Sequence, residues 1–407
     1  TYEKRWFEGI LSMSEYAALN GPTNNILVIG RYSERYEEAL NKPEQALFIN
    51  EYGLCRKNQV KDGHFPNVIF SSPDYVLPIL HCALLERREN KRTTVAQLFR
   101  GLKKYGEMAK TVAEGALTGK KMIEDPECTV FLTLSGAMTI AKMGLVICDV
   151  IDNELVQYVA STGALMAHGL VESIGLKHYK HNPKHSDKLL ARQKLNRVTD
   201  TLEPEENFSH VDEVVDEVLR AYTGTAPLSS HKFHQMVGEY LTHKFPQERG
   251  ILKSAYLKNV PVVVPAFTDS EIGNDVYTHN LWRAEQGIPK IVFDAELDTA
   301  CLLEKAASTK RIGIISIGGG VPRNNTQNLA PLIEIINGRL GERFPARTFS
   351  YGVRICPDPM YYGHLSGCSY GEGKSWRKMN PNGKFAEIKT DATLVLPFLV
   401  KYWGGEL

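Results

Sequence analysis

Short apolar runs closed off by glycine or proline punctuate this chain. They include Ile26-Leu27-Val28-Ile29, Val130-Phe131-Leu132-Thr133-Leu134, Val262-Val263-Val264 and Ile312-Gly313-Ile314-Ile315-Ser316-Ile317. Apolar runs this short, bounded by breakers, read as strands buried on both faces. Helical patterns lie between them. Over residues 211–221, Val214, Val215, Val218 and Leu219 recur at the spacing that puts them on one helix face. Strands alternating with amphipathic helices predict an α/β protein, doubly wound around a mostly parallel sheet. Ahead of this pattern, residues 32–40 predict a short helix, and Phe70-Ser71-Ser72-Pro73-Asp74 a turn. These fall in an N-terminal segment, residues 1–90, expected to pack on the main domain (91–407) or to make subunit contacts.

Composition narrows the class. A chain of 407 residues can bury a large core, and 43% hydrophobic with 23% charged residues is ordinary for a globular protein. The 48 basic residues against 47 acidic ones leave a net charge of +1, so no global field favours nucleic acid or an anionic membrane. The seven cysteines are scattered, without a Cys-x-x-Cys pair, which argues against a disulfide framework or thiolate zinc and predicts a reducing, cytoplasmic setting. No apolar run is long enough to span a bilayer, and no signal-peptide core follows the charged Thr1-Tyr2-Glu3-Lys4-Arg5. Charge segregates locally. Residues 177–197 are basic and carry His178, His181 and His185, whereas residues 203–217 are acidic. With no carboxylate–histidine motif, the expectation is a solvated loop attracted to an acidic helix, with no metal bound.

The densest chemistry lies at Ser366-Gly367-Cys368-Ser369-Tyr370-Gly371-Glu372-Gly373-Lys374-Ser375-Trp376-Arg377-Lys378-Met379. A lysine is a nucleophile only when its amine is neutral, and desolvation or neighbouring cations favour that form. Lys378, with Lys374 and Arg377 close in sequence and an indole two positions back, has such surroundings. A second feature is Gly318-Gly319-Gly320 directly after an apolar strand, where glycine lets backbone amides approach a ligand. The Gly-x-Gly-x-x-Gly dinucleotide fingerprint does not occur there.

The lysine segment resembles the active-site stretch of the deoxyhypusine synthase family: Ser366, Gly367, Glu372, Ser375, Trp376 and Lys378 fall on matching positions. Four further blocks follow the family's order. They are Leu195-Asn196-Arg197-Val198 with Glu203-Pro204-Glu205-Glu206-Asn207-Phe208, then Val264-Pro265-Ala266-Phe267-Thr268-Asp269, Ile317-Gly318-Gly319-Gly320-Val321, and Thr390-Asp391-Ala392-Thr393-Leu394-Val395. The likeness covers about the last three-quarters of the chain and is closer to archaeal and bacterial members than to eukaryotic ones. It implies a Rossmann-like NAD-binding fold. Gly136, Ala137, Met138, Thr139 and Ile140 match the first NAD loop, and Thr162, Gly163 and Ala164 the second. Asp269 matches a ribose-contacting acid, Gly319 a close approach, and Asp391 with Ala392 the final contact.

The resemblance also implies a reaction: NAD-dependent transfer of an aminobutyl unit from a polyamine such as spermidine, through an imine on Lys378. Glu372 would hold an ammonium end and Trp376 pack the butyl chain, with Ser375, Asn274, Asn324, Gly363 and His364 also at substrate positions. Ala167-His168 stands where the eukaryotic family has paired glutamates, Asn274 replaces an aspartate, and Asn324 an active-site histidine. Lys374 and the Tyr361-Tyr362-Gly363-His364-Leu365 segment alter the amine pocket further, so negative charge is removed and positive charge added. His168 is the candidate to supply the lost acid–base group. The acceptor is expected to be a small amine, as in homospermidine synthesis, or a protein lysine. The alternatives are another donor such as agmatine, or a catalytically silent NAD-binding assembly protein. The family also implies a homotetramer.

Overall fold

The computed structural model describes residues 27–29, 47–50, 53–55, 95–103 and 106–405, and side chains from residue 99 onward. The chain divides into two units, Thr1–Leu80 and His81–Leu407. In the first, β1 (Leu27–Ile29) pairs parallel with β2 (Leu47–Asn50), which pairs antiparallel with β3 (Gly53–Cys55). The expected helix at 32–40 and turn at 70–74 lie outside the described residues.

The second unit is built on six strands: β4 (Cys128–Leu134), β5 (Tyr158–Ser161), β9 (Val262–Val263), β10 (Arg311–Ile317), β11 (Phe349–Ile355) and β12 (Met379–Ile388). Three short strands, β6 (Tyr179–Lys180), β7 (Leu195–Val198) and β8 (Thr201–Pro204), form a separate antiparallel sheet. The large sheet runs β12-β11-β10-β4-β5-β9, with every pairing parallel. Numbered within this sheet the order is 6-5-4-1-2-3, the doubly wound order in which the chain reverses direction between its first and fourth strands. Parallel pairing requires crossovers, and the helices supply them.

In chain order the helices are α1 (Val95–Leu102), α2 (Glu107–Ile123), α3 (Gly144–Asp152), α4 (Gly163–Ser173), α5 (Asp187–Arg192), α6 (Glu205–Ala221) and α7 (Ser230–Lys244). There follow α8 (Ile251–Leu257), α9 (Glu271–Glu285), α10 (Glu296–Ala307), α11 (Gly320–Gln327), α12 (Leu329–Leu340), α13 (Tyr370–Ser375) and α14 (Ala392–Trp403). On one face, Phe131, Tyr158, Ile312, Ile314 and Phe349 pack with Leu302, Leu303 and Ala306 of α10 and Leu329 and Ile333 of α12. On the other, α2 is set so close against β12 that a Cβ on Gly115 would run into Ile388 Cδ1. Trp403 of α14 donates its indole N–H to Ala116 O at 3.0 Å, fastening the last helix to α2. Helices therefore cover both faces, and the run-like strands β4 and β10 are buried almost throughout.

The expected apolar face of α6 is observed, with Val211, Val214, Val215, Val218 and Leu219 all buried. The basic segment departs from expectation. His181 and His185 stay near the surface, but the His178 side chain is fully buried, and so is that of Glu203 at the acidic end. The pairing of β6 and β7 with β8 folds the two stretches onto each other, turning their attraction inward at these two positions.

Candidate active site

Leu134 pairs with Ser161 and Ile317, Ile317 with Ile355, and Ile355 with Ile388, so five strands end in one row. The loops that leave this carboxyl edge begin at 135, 162, 318, 356 and 389. The chain reversal lies between β4 and β10, the place where doubly wound sheets open a crevice for ligands. Every expected cofactor position except Asp269 sits on one of these loops or in the first turn of the helix that follows it. Asp269 follows β9, which leaves the same edge beside β5.

The loop geometry makes that crevice narrow at the backbone. Ser135 Oγ donates to Gly319 O, and Gly318 adopts φ +73° with its Cβ position 3.0 Å from Ser135 Cβ. A Cβ on Gly319 would stand 2.6 Å from Ser366 Cα, so only glycine fits against that loop. Helix α11 begins at Gly320 with no side-chain cap and no acid in its first turn, and a Cβ at Gly320 would meet nothing within 4 Å. Its first amides are thus left for an anionic group. Gly136, at φ +66°, is exposed with open space beside it. Thr162 caps α4 by accepting from Leu165 N at 3.2 Å and donates to Gly136 O at 2.5 Å, tying the first and second loops together. Gly163 is pressed on Ser270, and Ala164 is half-buried. Ala137 and Met138 are half-buried, whereas Thr139 and Ile140 are fully enclosed. Thr139 Oγ1 donates to Leu165 O at 3.1 Å, so this side chain locks the loop. Asp269 is exposed. Asp391 caps α14 through Thr393 N at 2.9 Å, ahead of the buried Ala392. This set, with its glycine cradle and uncapped helix, fits a dinucleotide.

Lys378 is held from both sides by its backbone: its N–H donates to Gly373 O and its carbonyl accepts from Phe349 N, each at 3.0 Å. The preceding Arg377 takes φ +57° to make the turn from α13 into β12. The half-buried amine donates to Asn324 Oδ1 at 3.0 Å and lies 5.8 Å from the centre of the Trp376 ring. Burial, followed by the nearby Arg323 guanidinium, lowers its pKa. The two cations expected from sequence to do this are turned elsewhere. Lys374 donates to Pro381 O at 3.0 Å, and Arg377 Nε pairs with Glu334 at 3.0 Å.

Arg323 carries no signal in the sequence that marks it as part of the site. It is buried one residue before Asn324 and donates to Cys368 O at 2.8 Å and to Ser366 O at 3.4 Å. Arg354, an arginine inside a buried strand, reaches the same two carbonyls and pairs with Glu387 at 2.8 Å. Two buried guanidinium groups thus clamp the 366–368 loop against the glycine turn. Glu372 is exposed, with its N–H on the Ser369 cap at 3.1 Å, and Ser375 Oγ donates to Glu372 O. Trp376 is 65% exposed. Gly363 and His364 are exposed, and His364 Nδ1 accepts from Ser366 N at 3.3 Å.

Asn274 lies on the exposed side of α9, whereas the neighbouring Asp275 is buried. His168 is on α4, and its Nδ1 lies 3.0 Å from Glu203 Oε2. Its other ring contacts are His178 and Phe208, while those of Lys378 run to Asn324, Trp376 and Arg323. The structure therefore brings Lys378, Asn324 and Trp376 together and groups His168 with Glu203.

Comparison with known proteins agrees with this architecture. Residues 97–403 match the family model for deoxyhypusine synthase. A Methanosarcina acetivorans protein assigned as a deoxyhypusine synthase is 31% identical over 309 residues, spanning 76% of this chain and 86% of the relative. A deoxyhypusine synthase-like protein of Chlorobaculum tepidum is 29% identical over 295 residues, 72% of this chain and 81% of its own. The crystal structure of an Entamoeba histolytica protein assigned to the same activity superposes with a TM-score of 0.50 at 15% identity, covering 77% of this chain and 94% of that one. With the match spanning most of the second unit, the chain belongs to the deoxyhypusine synthase family.

Proposed function

We propose that this protein is an NAD-dependent aminoalkyl transferase that takes an aminobutyl group from a polyamine and carries it as an imine on Lys378. The observation that carries the reading is the hydrogen bond from Lys378 Nζ to Asn324. It fixes the amine to the helix that starts at the triple glycine, beside the proposed cofactor crevice. Gly136, Thr162, Gly163, Gly319 and the first amides of α11 would hold the dinucleotide, with Asp269 and Asp391 toward its ribose hydroxyls. When bound, that cofactor supplies hydride acceptance from a carbon beside an amine and its later return.

The protein's own part is amine chemistry. Partial burial and the Arg323 charge favour a neutral Lys378, whose lone pair attacks the carbon of an oxidised carbon–nitrogen bond. A proton passes to the departing amine, which leaves, and the aminobutyl carbon remains bonded to Lys378 as an imine. An incoming amine then displaces the lysine by the same addition and elimination. Glu372, exposed at the mouth, would hold the far ammonium, and the Trp376 ring would lie along the butyl chain. Asn274, Ser375, Gly363 and His364 are the further substrate positions we propose. His168 is kept as the proposed acid–base residue: Glu203 engages its Nδ1 and orients the ring, leaving Nε2 to carry a proton. Fewer acids near the amine pocket argue against triply charged spermidine as the donor, and the acceptor we propose is a small amine or a protein lysine. The exposed Met360, Tyr361, Leu365 and Trp376 are consistent with a homo-oligomer in which a partner completes the mouth. Among the described residues no helix is long and apolar enough to cross a membrane.

The test is mass spectrometry of the amines formed when the full chain is incubated with NAD and a panel of polyamines. Release of a diamine matched by an aminobutylated acceptor is expected. NAD binding with no amine consumed across the panel would overturn the transferase reading.

A further inference from the structure

The histidine of the basic segment that turned inward belongs to a donor set of a specific kind. We propose that His168 Nδ1, His178 Nε2 and Glu203 Oε2 form a binding site for one divalent ion of the zinc class. These donor atoms all lie within 4.8 Å of one another, on α4, at β6 and on β8. His168 Nδ1 stands 3.0 Å from Glu203 Oε2. Around tetrahedral zinc, with metal–nitrogen bonds near 2 Å, neighbouring donors sit roughly 3.3 Å apart, so only a small opening of the cluster is needed. Two imidazoles and a carboxylate are borderline donors suited to zinc and cobalt, and poorly suited to calcium or magnesium.

A second observation points to a ligand independently of the donor types. His178 Nε2 is buried and has no hydrogen-bond partner. It stands against Glu203 Oε2 as an ion pair without the alignment of a hydrogen bond. An orphaned ring nitrogen on a fully buried side chain is costly unless something takes its lone pair.

Neighbouring side chains orient these donors. Asn207 Nδ2 donates to the other carboxylate oxygen, Glu203 Oε1, at 2.5 Å, leaving Oε2 for a ligand. Glu172 Oε1 lies 3.3 Å from His178 Nδ1 and can accept its proton, which directs the Nε2 lone pair into the cluster. Lys142 Nζ sits 2.8 Å from the same Glu172 oxygen. It is also 3.2 Å from His178 Nδ1, so in the metal-free protein the two compete for that nitrogen. Two carboxylates against one ammonium leave the pocket one negative charge in excess. A proton shared between His178 and Glu203 can offset it, and so can a divalent cation that displaces that proton. Three protein donors leave a fourth position for water or another ligand.

The experiment uses the full chain stripped with a chelator and titrated with Co²⁺. The expected result is about one equivalent bound with the strong visible absorption of a four-coordinate site, abolished by stoichiometric Zn²⁺. His178→Asn should remove that absorption, and Asn207→Ala or Glu172→Gln should weaken binding about tenfold or more. His181→Asn and His185→Asn, on exposed neighbours, should leave it unchanged. Should the unsubstituted chain bind no cobalt, or bind it only with the weak absorption of surface sites that survives His178→Asn, the cluster is a proton-sharing network and the proposal fails. Absence of cobalt binding is read on the unsubstituted chain alone, so misfolding of a variant does not protect the idea. Co²⁺ binding is also read without turnover, so it stands or falls apart from the transferase reading.

Discussion

The lowered pKa of Lys378 comes from burial and from Arg323 rather than from its neighbours in sequence. Its sequence motif was legible, and its amine lies against Asn324 of the helix that follows the triple glycine. The cause of its lowered pKa was not legible, since Lys374 and Arg377 are close in sequence yet engaged elsewhere. Arg323, over fifty positions away, supplies the nearby positive charge through a turn of α11. Such a contact depends on tertiary placement, which local spacing does not encode. If neutral Lys378 is the reactive form, rate rises with pH through its pKa. Arg323→Gln removes the cation and raises that pKa, so the acidic limb of the kcat/KM profile should move to higher pH. Arg323→Lys should keep the limb near its original place, and stopped-time assays across pH check both. An unmoved limb in Arg323→Gln would show that Lys378 ionisation is set by burial alone.

The elements reveal which patterns carry information in the sequence. Strands β4 and β10 are unbroken apolar runs, and both appear where the pattern put them. Strand β12, Met379–Ile388, contains Asn, Pro, Gly and Lys, so no apolar run marks it in the sequence. It is paired because it lies at the sheet edge, where only one side of its backbone needs a partner. The glycine turn before α11 is a case where the element depends on one missing methyl. Gly319→Ala should drive a Cβ into Ser366 and cost about 1–3 kcal/mol, seen as a lower urea midpoint with an unchanged slope. Helix α9 carries another cost. Burial, then Asp212 and Glu271, push Asp275 up to about 7. Between about pH 4 and 7 the native state therefore holds a proton that the unfolded chain has lost, so this residue makes stability fall as pH rises through that window. Asp275→Asn should be more stable than the parent at pH 8, by on the order of a few kcal/mol, and equally stable near pH 4, as denaturant titrations at the two pH values would show. Equal stability at both would mean that Asp275 ionises without penalty.

At the scale of the molecule, the sheet order explains why residues scattered from 135 to 392 meet at one edge of the sheet. Five strands end in a single row, and the reversal between β4 and β10 opens the edge where their loops meet. Strand alternation in the sequence predicted the layers. It could not give the order of the strands, since apolar periodicity says nothing about which strand neighbours which. The same topology brings the lysine, the clamp of Arg323 and Arg354, and the glycine cradle into one neighbourhood. The most direct test of this arrangement is reductive trapping: borohydride added to the protein with NAD and a polyamine, followed by peptide mapping. The expected result is an aminobutyl mass increment on the peptide carrying Lys378, dependent on NAD and lost in Lys378→Ala. An increment on a different lysine, or none in the parent protein with any polyamine offered, would contradict it.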